Sequence, residues 1–179
     1  LVITDPFATP YPSGAAVLIK MPALEQVGFF DERLFMYHED VDLGWRLNLA
    51  GYKILLDPLS VVYHKYNYSQ AKYKFYYMDR NRLAVLLQNY RALTIMLILP
   101  MLLLMEIGVI LFSIKNGWFR EKIKGYLWLL SHWPSILARR IDVQFRIRNV
   151  SFCFVIRKFK QIFQRLRRSR PQNNSIEFS

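Results

Sequence analysis

Residues 92–114 read ALTIMLILPMLLLMEIGVILFSI, an apolar run broken by one acid, Glu106, and one proline, Pro100. As a helix, a run of this length crosses the ~30 Å hydrocarbon core of a bilayer. Soluble folds rarely bury a helix that is apolar on every side. The run therefore predicts a transmembrane or deeply inserted helix. Proline removes one backbone hydrogen bond and crowds the preceding turn, so a kink is expected at Pro100. Glu106 must find a partner or stay neutral. Arg80, Arg82 and Arg91 precede the run, and Lys115, Arg120, Lys122 and Lys124 follow it. Positive flanks mark the cytoplasmic side, which puts both ends there. A re-entrant hairpin bent near Pro100 satisfies that rule. So does a full span followed by a second crossing within residues 126–138. That second segment is short and carries His132 and Pro134, so a helix lying in the interface plane is the more natural form.

Charge divides the chain at about the same place. Residues 1–70 hold five Lys/Arg against eight Asp/Glu, and residues 71–179 hold twenty against five, within a net charge of +12. An acidic piece is joined to a basic, apolar tail. In residues 71–91, Tyr73, Tyr76 and Tyr77 stand among Lys72, Lys74, Arg80 and Arg82, the composition of an amphipathic interface helix. Packing on the preceding domain would use the same pattern. Residues 115–170 continue as basic amphipathic helices, with Ile141, Val143, Phe145, Ile147, Phe152, Phe159, Phe163 and Leu166 between Lys and Arg. Anionic lipid headgroups and RNA would both suit such a surface. Tethering beside an apolar run favours lipid, and no nucleic-acid partner is expected. Residues 171–179 are polar and expected to be disordered. Cys153 is the single cysteine, which excludes an intrachain disulfide and a cysteine metal site.

The acidic piece centres on residues 29–64. Asp31, Glu32, Glu39, Asp40 and Asp42 fall within twelve residues, among Phe29, Phe30, Leu34, Phe35 and Tyr37. A helix pattern follows (Val41, Leu43, Trp45, Leu47, Leu49) and stops at Ala50-Gly51. Short β-type runs are expected at residues 15–19, 52–56 and 60–63, and a short helix opens at Met21-Pro22 and ends at Gly28. Carboxylates at a helix start are favoured by its free N–H groups and dipole, and Asp42 can pair with Arg46 one turn on. Acids in a partly apolar cleft also suit a general base or a metal site. His64, after the last apolar run, is either a structural strand-end residue or a metal ligand.

Phe30-Asp31-Glu32, then Tyr37-His38-Glu39-Asp40-Val41-Asp42-Leu43, Arg46, Ala50-Gly51-Tyr52 and His64 resemble the second half of the catalytic domain of family 2 glycosyltransferases, and within it the rhamnosyltransferase-like branch. Ser13-Gly14-Ala15-Ala16-Val17-Leu18-Ile19-Lys20 and Leu24-Glu25-Gln26-Val27-Gly28 match too. The resemblance implies an α/β architecture, the C-terminal portion of a GT-A fold, in residues 1–70, followed by a mostly helical membrane-associated tail. It implies inverting transfer from a nucleotide-sugar donor to a saccharide or lipid-linked acceptor in envelope polysaccharide or glycan synthesis. Asp40 is then the candidate base; Glu39, Asp42, Asp31 and Glu32 are candidates for the acceptor side. His64 is the candidate ligand of a divalent metal, Mg2+ or Mn2+. The donor-binding strands and Asp-x-Asp motif of the family's first half are absent from the sequence, so the chain is expected to be a fragment lacking that half and inactive alone. The catalytic part is expected on the cytoplasmic face of the cell membrane. A membrane-anchored scaffold without catalysis, or a basic module binding anionic lipid or nucleic acid, is the alternative.

Overall fold

Local signals set the first two helices. Pro22 sits in the opening turn of α1 (Met21–Val27), where its missing N–H costs nothing. Gly28, at φ 80°, ends it and donates its N–H to Leu24 O at 2.7 Å. The acids open α2 (Glu39–Ala50), and Gly51 closes it at φ 96°. There the Gly51 N–H reaches Asn48 O at 3.1 Å and the Tyr52 N–H reaches Leu47 O at 3.0 Å. That double bond is the Schellman closure, which needs a left-handed residue. The computed structural model describes residues 5–63, 65 and 72–149.

β-structure is sparser than the sequence implies. β1 (Phe7–Ala8) pairs antiparallel with β2 (Leu55–Leu56), in the register Phe7↔Leu56 and Ala8↔Leu55. The strands expected at residues 15–19 and 60–63 do not form, and the 52–56 run pairs only at its end. Leu18, in the first of these runs, is fully exposed at 101%. Among the described residues no other strand lies beside these runs, and a strand without a partner leaves its backbone groups to water. His64 and residues 150–179 lie outside the described residues, and with them the metal-ligand expectation, the last part of the basic amphipathic segment and the disordered tail.

Five further helical segments follow: α3 (Tyr73–Asn89), α4 (Ala92–Lys115), α5 (Phe119–Ser131), α6 (Trp133–Ile141) and a π-helical segment, Asp142–Ile147. Two apolar clusters hold them. One joins Ala23 and Val27 of α1, Leu43, Leu47 and Leu49 of α2, and Val143 and Ile147 of the π-helical segment. The other joins Leu34, Ala84 and Val85 of α3, Leu129 of α5 and Ile136 of α6. Val143 and Ile147, which the sequence reads as part of an interfacial face, are therefore core residues under the acidic helix. Ile141 and Phe145 alternate with them and are exposed.

Gly44 lets a loop cross α2 closely. A Cβ there would lie 2.5 Å from Tyr11 Cβ and 2.7 Å from Tyr11 Cα. Asn48 Nδ2 ties the same loop down by donating to Pro10 O at 2.7 Å.

α4 is helical without interruption through Pro100, so the bend that a re-entrant hairpin requires is not present. Among the described residues it is the one helix long and apolar enough to cross a membrane, with a mean hydropathy of 2.7 over its central window. None of that window is buried in the protein. Glu106 finds its partners. Its Oε1 accepts from Lys122 Nζ at 2.6 Å and Tyr126 OH at 2.5 Å, and its Oε2 accepts from Arg82 Nη2 at 2.6 Å. Asp79 takes the same two cations at 2.7 and 2.8 Å. Four charges of alternating sign thus bolt α3, α4 and α5 together, with the Lys122 side chain wholly buried. After α4 the chain turns at Gly117, and buried Trp118 stacks on Phe75 at 4.7 Å. Apolar residues stay exposed along α5 (Phe119, Ile123, Leu127, Leu130) and onward (Trp133, Leu137, Ile141, Phe145), three or four residues apart, the spacing of one face on each segment.

Candidate functional site

The acids are presented by a strained loop. Phe35, Tyr37 and His38 all have positive φ, 60°, 66° and 66°. Each non-glycine residue held there costs roughly 1–2 kcal/mol. Three backbone carbonyls of the loop, Leu34, Met36 and Tyr37, face one side-chain amide. Asn81 Nδ2 of α3 lies 2.7, 2.8 and 2.8 Å from them. Its neighbour Arg80 donates to Arg33 O at 2.8 Å and Leu34 O at 3.2 Å, and through Nε to Asn81 Oδ1 at 2.9 Å. Arg80 itself lies against the Trp128 ring, 4.0 Å from its centre. The start of the loop is held from α2. Arg46 donates to Val27 O, Gly28 O and Phe29 O at 2.6, 2.7 and 2.9 Å.

Between this loop and the 13–16 turn lies a cleft of about 310 Å³, lined by Gly14, Phe30, Asp31, Glu32, Phe35 and Glu39. Three of the five proposed site acids, Asp31, Glu32 and Glu39, therefore share one cavity with two aromatic rings. Asp40 stands beside it. Its Oδ2 accepts the N–H of Gly14 at 3.1 Å, and its Oδ1 accepts the N–H of Val41 at 2.7 Å. Each oxygen keeps a second lone pair. Burial pushes the Glu39 carboxyl above its usual range, and the charge of Asp40 adds to this. One Glu39 oxygen is buried with no hydrogen-bond partner. His38 Nδ1 is likewise buried and unpaired. Burial lowers the pKa of that imidazole, although Asp40 works the other way.

Asp31 is half-buried and tied to Arg33, whose Nε and Nη2 donate at 2.8 and 2.5 Å. Burial alone would raise this carboxyl, but the bonds and charge of Arg33 outweigh it and hold the pKa below the ordinary value. Glu32 is exposed at the rim.

Asp42 is placed differently from the other four. Its side chain is wholly buried, with Oδ2 on Arg46 at 2.8–2.9 Å and Oδ1 on Asn89 Nδ2 at 2.8 Å. It does not line the cleft. The pairing with Arg46 that the helix spacing allows is the one the structure forms, through Oδ2, while Asn89 takes Oδ1. Among the described residues no three His, Cys, Asp or Glu side chains gather into a metal-holding group. Arg80 and Asn81 were not legible as site residues. Their signal is Asp79-Arg80-Asn81-Arg82, four polar residues in a row on a helix whose neighbouring turns are apolar.

Comparison with known proteins adds a partial likeness. Over 60 residues, 34% of this chain, the sequence is 47% identical to an N-acetylglucosaminyl-diphospho-decaprenol L-rhamnosyltransferase of Mycobacterium tuberculosis, in strains CDC 1551 / Oshkosh and H37Rv. Over 54 residues it is 41% identical to a pre-mycofactocin glycosyltransferase of the same organism. The chain spans 20% of the length of the first relative and 11% of the second. No family profile matches the chain, and no solved structure does. One relative is named a rhamnosyltransferase and the other a glycosyltransferase, and the likeness supports a transferase relationship over a small part of this chain.

Proposed function

We propose that the protein carrying this chain is a membrane-associated glycosyltransferase, and that the cleft beside Glu39 and Asp40 is its acceptor side. The observation that carries this is the acidic cleft itself, three carboxylates with Phe30 and Phe35, taken together with the 47% identity to a rhamnosyltransferase. Carboxylates accept the hydroxyls of a sugar, and aromatic faces cover its C–H surfaces. The acceptor is a saccharide or a lipid-linked saccharide of envelope glycan synthesis, and the donor is a nucleotide-sugar. The resemblance extends the reading to a GT-A fold, to inversion at the anomeric carbon, and to Mg2+ or Mn2+ held in part by His64.

In this reading Asp40 accepts the proton of the acceptor hydroxyl as its oxygen attacks the anomeric carbon, and the nucleoside diphosphate leaves from the opposite face. A carboxylate is a weak base towards an alcohol, so proton transfer accompanies attack. The Gly14 and Val41 N–H groups fix the Asp40 carboxylate without using up its lone pairs. Glu39, with its raised pKa, is the neighbour that faces the acceptor. α4 supports a membrane location, since an apolar helix of this length left largely uncovered by the protein is a poor surface for water.

The test is transfer by the full-length protein. Asp40→Asn keeps the size of the side chain and removes its basicity, so turnover should fall on the order of 10²–10⁴ with donor binding nearly unchanged. Near-parental transfer would remove Asp40 from the base role and leave Glu39, not buried Asp42, as the candidate.

A further inference from the structure

We propose that Asn81 and Arg80 are positioning residues that hold the left-handed 33–38 loop and thereby set where Glu39 and Asp40 stand at the cleft. The proposal rests on the acceptor-side reading above and adds residues from a different helix.

Within the loop Leu34 packs into the second apolar cluster, Arg33 pairs with Asp31 and the Phe35 ring meets that of Tyr77. The loop belongs to no sheet, and of its three left-handed residues, a phenylalanine, a tyrosine and a histidine, only the histidine is of a type enriched in that backbone form. Glycine would adopt it without strain; here the shape is imposed from outside. Asn81 is wholly buried and Arg80 is 4% exposed, so neither is a surface residue that happens to touch the loop. Arg80 Nε on Asn81 Oδ1 orients the amide, so that its NH2 group points at the three carbonyls. The loop then runs directly into α2. His38 O accepts the N–H of Asp42 at 2.8 Å, closing the turn that contains Glu39 and Asp40. A shift of the loop is therefore a shift of that first turn.

The clamp also has a fixed base. Asp79 and Arg82, on either side of the pair, are ion-paired to Lys122 and Glu106. Arg80 packs on Trp128, and Gly125 of α5 brings the two helices close: a Cβ there would sit 3.5 Å from Arg80 Cβ. α3 thus holds the loop with Arg80 and Asn81 and is itself held to α4 and α5 by Asp79, Arg82 and the packing of Arg80 on Trp128.

The experiment is a double-mutant cycle on turnover in the full-length protein, with Asn81→Ala and Tyr37→Gly made singly and together. Asn81→Ala alone should lower kcat on the order of tenfold to a hundredfold through misplacement of the acids, while the donor dissociation constant stays put. Glycine takes positive φ freely, so in the Tyr37→Gly background the same Asn81→Ala change should cost much less. A purely structural role would not give that rescue. Independent, multiplicative losses would overturn the proposal, as would parental turnover from folded Asn81→Ala or an equal loss of donor binding. Should Asn81→Ala fail to fold, Arg80→Lys keeps the charge and removes the forked donor, and it should show the same split between turnover and donor binding. Amide exchange over residues 34–41 reads the clamp without any activity. Faster exchange there in the folded variant supports it, and unchanged exchange overturns it. Absence of transfer by the parent protein itself would instead overturn the functional reading.

Discussion

Glu39 and Asp42 both sit in the first turn of α2, and their surroundings give them opposite expectations. Among the described residues Asp42 is the carboxylate ion-paired to the buried Arg46 guanidinium. Asp42→Asn would strand that charge, so a stability loss on the order of 3–5 kcal/mol is expected in denaturant unfolding. Glu39 is half-exposed with a raised pKa, so its ionised form is the less favoured one in the folded protein. Glu39→Gln should leave stability at neutral pH unchanged or slightly higher. Asp31 supplies the pH dependence. Its folded pKa lies below the ordinary 3.8 because Arg33 outweighs burial. The stability it brings is present above that value and is lost as pH falls through the lowered folded value. Asp31→Asn should therefore melt below the parent at neutral pH, and the gap should close below about pH 4, measured by thermal unfolding in stepped buffers. The density of acid in residues 31–42 is plain in the sequence. Which acid faces a cavity is not, because all three at the helix start satisfy the same dipole argument. Burial decides between them, and it depends on Asn89, Val27 and Gly28, which come from elsewhere in the fold.

The helices were legible where their ends are written locally. Pro22, Gly28 and Gly51 mark boundaries without help from any other segment. The strands were not, because a strand exists only with a neighbour. Residues 15–19 have the apolar run but no strand alongside among the described residues, and they stay irregular. The acidic loop defeats sequence reading for a related reason: its left-handed residues carry no glycine or asparagine to announce them, and the donors that impose the shape are more than forty residues away. Gly44 is a glycine whose role is visible only in three dimensions. It reads as a weak point in a helix, yet Tyr11 and Pro12 fill the space a side chain would need. Gly44→Ala would improve helix propensity and still destabilise, by roughly 1–3 kcal/mol, since the nearest atoms include backbone. A calorimetric scan of the variant checks the sign, which propensity alone predicts wrongly.

Across the whole molecule, the basic half is not an appendage. Leu129, Ile136, Val143 and Ile147 close the two cores, so trimming the chain after Tyr90 would remove all four and trimming after Arg139 the last two; either cut would uncover the residues they pack against and would not release a stable acidic domain. Membrane attachment is better tested on the intact protein. Burial of α4 is apolar and unscreened, whereas Lys and Arg on lipid headgroups are screened within about a nanometre at ordinary salt. High salt should leave the protein with the membrane pellet, and detergent should release it. Release by salt alone would show that α4 does not insert. The charge cluster around Glu106 bears on how such a protein is made. Arg82 lies 24 residues before Glu106, and Lys122 lies 16 after it. A nascent chain leaving the ribosome presents the carboxylate of α4 before Lys122 and Tyr126 have emerged. Arg82 is the counter-ion that emerges ahead of it. In the proposed membrane-bound protein, insertion and tertiary docking would be a single event in biosynthesis: the anchor would not settle in the bilayer until α5 had emerged to complete its electrostatic seat.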